Sequence, residues 1–298
     1  MKKSGFISII GRPNVGKSTL LNQILGAKIA ITSYKPQTTR TQIQGVYTDD
    51  RGQIVFIDTP GIHKPVHKLD RYMMEAASRS MGDADKVLLL VEPGAPKDQD
   101  RAILKQLQEQ KAEVILVINK MDKVPKPELL KTMEAFRDAY AFSHIIPVSA
   151  KTGENTEELL NTLFEELPEG PVFFPEDMLT DQPERQLMAE FIREKALLEL
   201  DQEIPHGIAV VIDSFREREN QAIVDIEATI ICEKESHKPI IIGKGGRTLK
   251  VIGTKARQEM EEFLGVKVNL KLWVKVKDRW RDSEFLIRNF GFDKRDLQ

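Results

Sequence analysis

The chain has 298 residues, 41% of them hydrophobic, and a formal net charge of −2; that is long for one domain and apolar enough for buried cores. One cysteine, Cys232, and five histidines exclude an internal disulfide framework and leave no zinc-ligand spacing. No apolar run approaches the roughly 18–20 residues that span a bilayer, and Met1-Lys2-Lys3-Ser4 leads straight into an apolar segment with no room for a signal peptide, so a cytoplasmic protein is expected.

Residues 6–10 predict the first strand, and residues 19–25 continue as a helix. Between them Gly11-Arg12-Pro13-Asn14-Val15-Gly16-Lys17-Ser18 fits G-x-x-x-x-G-K-[ST], in the strand–loop–helix context of a P-loop. Its backbone N–H groups and the helix N-terminus suit phosphate, Lys17 reaches the outer phosphates, and Ser18 offers its hydroxyl to Mg²⁺. Gly11 through Ser18, with Thr19, are the candidate phosphate cradle.

A strand is predicted over 43–48 and another over 54–58, the second ending in Asp58-Thr59-Pro60-Gly61. Asp58 is a candidate Mg²⁺ contact, and the Gly61 N–H is placed to sense a γ-phosphate. Helices follow at 68–81 and 98–110, with strands at 86–92 and 113–118. The last of these runs into Asn119-Lys120-Met121-Asp122. Guanine presents N1–H and an exocyclic amine on one edge, and a carboxylate at Asp122 accepts both. Adenine would leave that carboxylate unpaired. After a helix at 127–141, the strand at 145–148 ends in Ser149-Ala150-Lys151, whose backbone suits the guanine carbonyl; a helix at 155–167 closes the module. Alternating short strands and amphipathic helices predict an α/β fold with a doubly wound, mostly parallel sheet, and all these motifs lie at the carboxyl ends of its strands. The expected ligands are GTP or GDP with Mg²⁺.

Pro168, Gly170, Pro171, Pro175 and Pro183 mark residues 168–183 as a stiff connector between modules 1–167 and 184–298. Charge is uneven. Residues 152–203 hold fifteen acidic and three basic side chains, whereas 238–298 hold fifteen Lys/Arg and eight Asp/Glu, an excess of seven. A basic tail reads as a polyanion-binding module. The second module is predicted as a helix near 184–202, strands at 208–214 and 223–230, a helix at 248–264 and a strand at 266–276. Gly243-Lys244-Gly245-Gly246 contains the G-x-x-G of a KH domain, and the element order resembles its type II form, a smaller α+β fold. The glycines admit a nucleic-acid backbone, and Lys244, Arg247 and Lys250 surround the loop with positive charge. Gly243 through Arg247, with Lys250, are the candidate RNA-binding residues. Trp273 is expected inside the strand's packing, Trp280-Arg281 at the surface, and Phe285, Leu286 and Phe290 buried in a closing helix.

Taken together, these motifs resemble the Era-type GTPases of the translation-factor-related superfamily, over both halves of the chain. The resemblance implies that Gln37, Thr38, Thr39 and Arg40 lie in the first switch loop, where a threonine hydroxyl, Thr39 in preference to Thr38, completes the Mg²⁺ shell. Ras-type enzymes place a water-orienting glutamine just after the DxxG glycine; here Ile62 stands there, so no catalytic residue is assigned and slow intrinsic turnover is expected. Related GTPases with an asparagine at the position of Asn14 often bind K⁺ beside the phosphates, which makes K⁺ activation an expectation; a turn residue is the plainer reading of Asn14. The implied partners are the 3′ end of small-subunit ribosomal RNA and the small subunit itself, with the chain a monomer acting in subunit assembly. An alternative is a GTP-regulated binder in cell-cycle signalling or at the inner face of the cell membrane, its basic tail on anionic lipid.

Overall fold

Strand β1 (Lys3–Gly11) runs through the middle of the first sheet and sends alternate side chains to opposite faces. Ile7 and Ile9 join one apolar cluster and Ile10 the other. The split continues in β4 (Lys86–Val91) and β5 (Val114–Ile118): Leu88, Leu90, Ile115 and Val117 face one way, Leu89, Val91, Leu116 and Ile118 the other. Strands covered on both faces need unbroken apolar runs, which these segments have. With β2 (Ile43–Asp49), β3 (Gly52–Asp58) and β6 (His144–Pro147) they form a sheet ordered β2-β3-β1-β4-β5-β6, antiparallel between β2 and β3 and parallel elsewhere. Helices α1 (Lys17–Leu25) and α5 (Thr156–Glu166) cover one face through Leu20, Leu21, Leu159 and Leu163. Helices α3 (Asp98–Gln110) and α4 (Lys126–Arg137) cover the other through Ile103, Leu107, Leu129 and Phe136, with Met81 of α2 (Lys68–Asp83).

The structure, a computed structural model, describes residues 2–35, 37–62, 64–110 and 113–292. Residues 293–298 of the predicted basic tail lie outside the described residues. The chain divides into two compact units: Met1–Ala30, Thr39–Pro65 and Asp70–Asp181 form the first, while Ile31–Thr38, Val66–Leu69 and Gln182–Gln298 form the second. Among the described residues no helix is long and apolar enough to cross a membrane.

The proline-rich stretch is expected as a connector, yet through Asp181 it is fastened to the first unit. Proline density limits internal backbone bonding to one turn, Met178 N–H to Pro175 O at 3.1 Å, and the neighbouring strands supply further partners. Ser4 N–H donates to Pro168 O at 3.1 Å and Val46 N–H to Leu179 O at 2.9 Å. The Gln53 amide accepts from Phe173 and Phe174 N–H at 2.8 and 2.9 Å and donates to Phe174 O at 2.9 Å.

In the second unit α6 (Glu184–Glu199) is followed by β7 (Ala209–Glu217) and β8 (Ile223–Cys232), then α7 (His237–Ile242), α8 (Arg247–Leu264) and β9 (Lys267–Val276). This is the α-β-β-α-α-β order of a type II KH domain. The sheet runs β7-β8-β9, antiparallel then parallel. Its core is built from Leu187, Phe191 and Leu197 of α6, Ile226 and Ile230 of β8, and Ile252, Ala256 and Met260 of α8. Ile31, from the loop after α1, is buried in the same cluster.

Candidate functional site

The loop from Gly11 to Gly16 turns sharply between β1 and α1. Gly16 begins the helix at φ 101°, and a Cβ there would meet Asn119 Nδ2 at 2.2 Å, so only glycine fits. Asn14 adopts φ 66°, the left-handed region a turn asparagine tolerates. Lys17 lies buried within the loop, its ammonium 3.4 Å from Gly11 O and 3.3 Å from Arg12 O. Arg12 is drawn away from the cradle: its Nε donates to the buried Asp100 of α3 at 2.7 Å. Thr19 continues α1, and Thr59 Oγ1 donates to Ile9 O at 2.9 Å, tying the end of β3 to β1. Gly61 sits against Pro13, where an added Cβ would come within 2.8 Å of Pro13 Cα.

Three oxygens gather at the helix start. Ser18 Oγ donates to Asp58 Oδ2 at 2.6 Å and lies 2.9 Å from Thr39 Oγ1. Burial pushes the Asp58 carboxyl up and the Lys17 ammonium down, while attraction between the two charges opposes both shifts. Asp58 Oδ1 is buried without a hydrogen-bond partner among the described residues. A buried, orphaned carboxylate oxygen beside two hydroxyls is a hard-oxygen donor set that fits Mg²⁺. The neighbouring Thr38 faces elsewhere, with Oγ1 donating to Lys35 O at 2.7 Å. Gln37 adopts φ 60° and Arg40 is buried.

The stretch Ile31–Thr38 belongs to the second unit. Glu194, buried on α6, accepts from Thr32 N–H at 2.8 Å. Arg193, also buried, donates to Thr38 O and is held by Glu190 through Nε at 2.8 Å.

At the ends of β5 and β6 a single side chain organises three loops. Asn119 Nδ2 donates to Val15 O at 2.8 Å, and its Oδ1 accepts from Lys120 N–H at 2.7 Å and Ala150 N–H at 2.9 Å. Lys120 Nζ donates to Asn14 O at 2.7 Å and pairs with Glu92. Asp122 accepts from Ser149 Oγ at 2.7 Å; chiefly through that bond its carboxyl is held below the usual range, so it stays an acceptor. Lys151 is exposed beside it.

In the second unit Gly243, Gly245 and Gly246 take φ of 76°, 61° and 78° between α7 and α8. Nothing lies within 4 Å of a Cβ built at Gly245 or Gly246, which leaves the backbone open to a ligand. Lys244, Arg247 and Lys250 are exposed around this turn. A groove of about 350 Å³ extends from it, lined by Gly246, Leu249, Lys250, Gly253, Arg257 and, from β9, Leu272.

A model for the 50S ribosome-binding GTPases matches residues 6–120, and a KH domain model matches residues 203–281. The chain is 54% identical to the GTPase Era of Alkaliphilus metalliredigens over 98% of this chain and 99% of that protein. The chain belongs to the Era family of GTPases. Era of Clostridium perfringens is 51% identical over 99% of each chain. Two solved Era structures, each 42% identical, superimpose with TM-scores of 0.94 and 0.95 over 97% and 98% of this chain and 99% of theirs. The first is a single-substitution variant of Aquifex aeolicus Era bound to GDP·AlF4⁻; the second is Era in complex with MgGDPNP and nucleotides 1506–1542 of 16S ribosomal RNA.

Within this Era-family chain, Ile62 donates its N–H to Gly11 O at 3.2 Å, and its side chain packs on the cluster under α3 and α4. Glu92 and Asp100 escape a motif reading, since neither belongs to a motif, although they hold Lys120 and Arg12. Gly253 and Arg257 of the groove carry a readable signal: with Gly246 and Lys250 they repeat at helical spacing along one face of α8.

The two tryptophans exchange their expected places. Trp280 is fully buried; its indole N–H donates to Gly207 O at 2.8 Å and its ring stacks on Phe292. Trp273 is 44% exposed, because β9 turns its odd-numbered residues outward. In the short helix α9 (Glu284–Asn289) Ile287 is the buried residue, and Phe285, expected inside, is 72% exposed.

Proposed function

We propose that this chain is a GTP-hydrolysing switch whose KH unit clamps the 3′ end of small-subunit ribosomal RNA during assembly of the small subunit in the cytoplasm. The observation that carries the reading is the pairing, in one chain, of a buried Ser18–Asp58–Thr39 oxygen cluster with an open glycine turn set in basic residues.

The roles follow from the geometry. Backbone N–H groups from Asn14 to Thr19 cradle the phosphates at the start of α1, and Lys17 neutralises the outer ones. Mg²⁺ held by Ser18, Asp58 and Thr39 supplies charge neutralisation at the β- and γ-phosphates. Asp122 accepts from guanine, the backbone of Ser149–Lys151 serves its carbonyl, and Asn119 keeps both loops in register with the P-loop. Ile62 is partly buried against the cluster under α3 and α4 and offers no hydrogen bond from its side chain, so orientation of the attacking water falls to backbone groups, another side chain or a partner, and unassisted turnover is slow. GTP favours the ordered loops around Thr38-Thr39 and 58–61; RNA favours the same state, and hydrolysis releases both.

Sedimentation with purified small ribosomal subunits, in GDP and in a non-hydrolysable GTP analogue, tests the reading. Pelleting that depends on the analogue and is lost in a Lys244→Asp/Gly245→Asp double variant supports it. No pelleting with either nucleotide sinks the ribosomal reading and leaves a GTPase whose basic tail serves another polyanion.

A further inference from the structure

Strand β9 is one of the two edge strands of the second sheet, and its two faces differ. The inward residues Leu270 and Leu272 line the groove below the glycine turn. The outward residues Lys267, Asn269, Lys271, Trp273 and Lys275 are all exposed. An indole left in water in the middle of a strand is informative, because aromatic side chains of that size are ordinarily well buried. Its lateral neighbours are small: Thr229 lies opposite on β8 and Val211 beyond it on β7, which leaves the ring open. Lys271 and Lys275 stand two residues either side, each roughly 6.6 Å away along the strand. Lys271 pairs with the half-exposed Glu227 at 3.4 Å and feels the charge of Asp225, and Lys275 makes no ion pair among the described residues.

The acids on this side of the sheet, Asp213, Asp225 and Glu227, belong to β7 and β8. Asp225 is paired with Arg218 at 2.6 Å and Glu227 with Lys271, and Arg216 lies in the same patch, so the uncompensated positive charge nearest Trp273 is that of Lys275 on β9. A KH loop clamps about four nucleotides, so a longer strand leaving the groove crosses a rim, and β9 is that rim.

We propose that the outer edge of β9 is a second single-stranded RNA contact, where a base leaving the groove stacks on Trp273 while Lys271 and Lys275 hold the flanking phosphates. This rests on the RNA-binding reading above. Stacking on an aromatic ring is tolerant of sequence, since every base has a π-face, so this contact adds affinity and length preference rather than base identity.

The test uses the full chain with a GTP analogue and labelled RNA of nucleotides 1506–1542 of 16S ribosomal RNA, the fragment in the Era complex. Binding is followed by anisotropy and by tryptophan emission; Trp280 is fully buried, so a change in emission reports on Trp273. The expected results are quenching on binding, affinity weakened roughly 5- to 150-fold in Trp273→Ala, and recovery to within about threefold in Trp273→Phe. Lys271→Gln/Lys275→Gln lowers the slope of log affinity against log salt by about 1.4. Tight binding with unchanged emission and an unaffected Trp273→Ala variant overturns the β9 contact and leaves the groove reading standing. Failure of the unaltered chain to bind the RNA overturns the RNA reading and this contact with it.

Discussion

Replacing Asn119 by alanine tests whether one buried amide organises the nucleotide site. Asn119 is 2% exposed and makes three hydrogen bonds, to Val15 O, Lys120 N–H and Ala150 N–H. Lys120 lies near the surface, where water can replace the lost bond. Val15 and Ala150 are buried, so alanine strands one carbonyl and one N–H, at about 1–3 kcal/mol each. We expect a loss of about 3–4 kcal/mol in stability, among the larger effects of a single substitution. The P-loop, the 119–122 loop and the 149–151 loop also lose their shared anchor, so GDP affinity falls by about 100-fold, some 2.7 kcal/mol. Urea unfolding and titration with a fluorescent GDP analogue measure the two effects. Asn119→Asp keeps the acceptor but sets an oxygen against Val15 O, and it should restore little. An alanine variant that binds GDP within about threefold of the parent, with stability changed by less than about 1 kcal/mol, would refute the reasoning.

Ile62→Gln leaves GTP turnover within about threefold, because the side chain at 62 packs against the cluster under α3 and α4, and it costs about 1 kcal/mol through partial burial of an amide; single-turnover hydrolysis and thermal unfolding check both. GTP turnover is faster in KCl than in NaCl at equal ionic strength if Asn14 helps to hold K⁺, and equal rates remove that role. Glu166 is held below the ordinary glutamate value of 4.5 chiefly by its hydrogen bond from Lys86, with His144 adding. A lowered carboxylate contributes stability above its unfolded value, and that contribution is lost as pH falls through the lowered one, so Glu166→Gln flattens the stability profile below about pH 4.5 in urea unfolding. Cys232 is buried, with burial pushing its thiol up to about 11, so at about pH 8 a disulfide reagent modifies it no faster than the chain opens.

The buried strands were the most readable part of the sequence. β4 and β5 are apolar on both faces, which only a covered parallel sheet accommodates, and the nucleotide motifs follow strands of this kind. The KH core was readable for a related reason, since α8 and β9 each keep their own period. Reading failed where one residue decided against its surroundings. A strand tryptophan is normally an inward residue, but the alternation that puts Leu272 and Val274 inside forces Trp273 out. The prolines from Pro168 onward point to a backbone with little internal bonding, broken by one turn from Met178 N–H to Pro175 O, but give no hint that Gln53 binds it. Arg12 belongs to the phosphate loop by position, but the partner of its side chain, Asp100, lies 88 residues on, beyond any local pattern.

The buried partners of the stretch Ile31–Thr38 have a consequence for the newborn protein. A chain emerging from the ribosome folds from its N-terminus, domain by domain. The Gln53 contacts to Phe173 and Phe174 postpone completion of the first sheet's surroundings until those residues have been made. Glu190, Arg193 and Glu194 come later still, and Arg193 lies 155 residues beyond the carbonyl it holds. A nascent chain halted before α6 carries every nucleotide motif, yet the backbone leading into Thr39 lacks its anchor. The last contacts to the stretch before Thr39 thus form only once translation has passed α6, long after every nucleotide motif has been made.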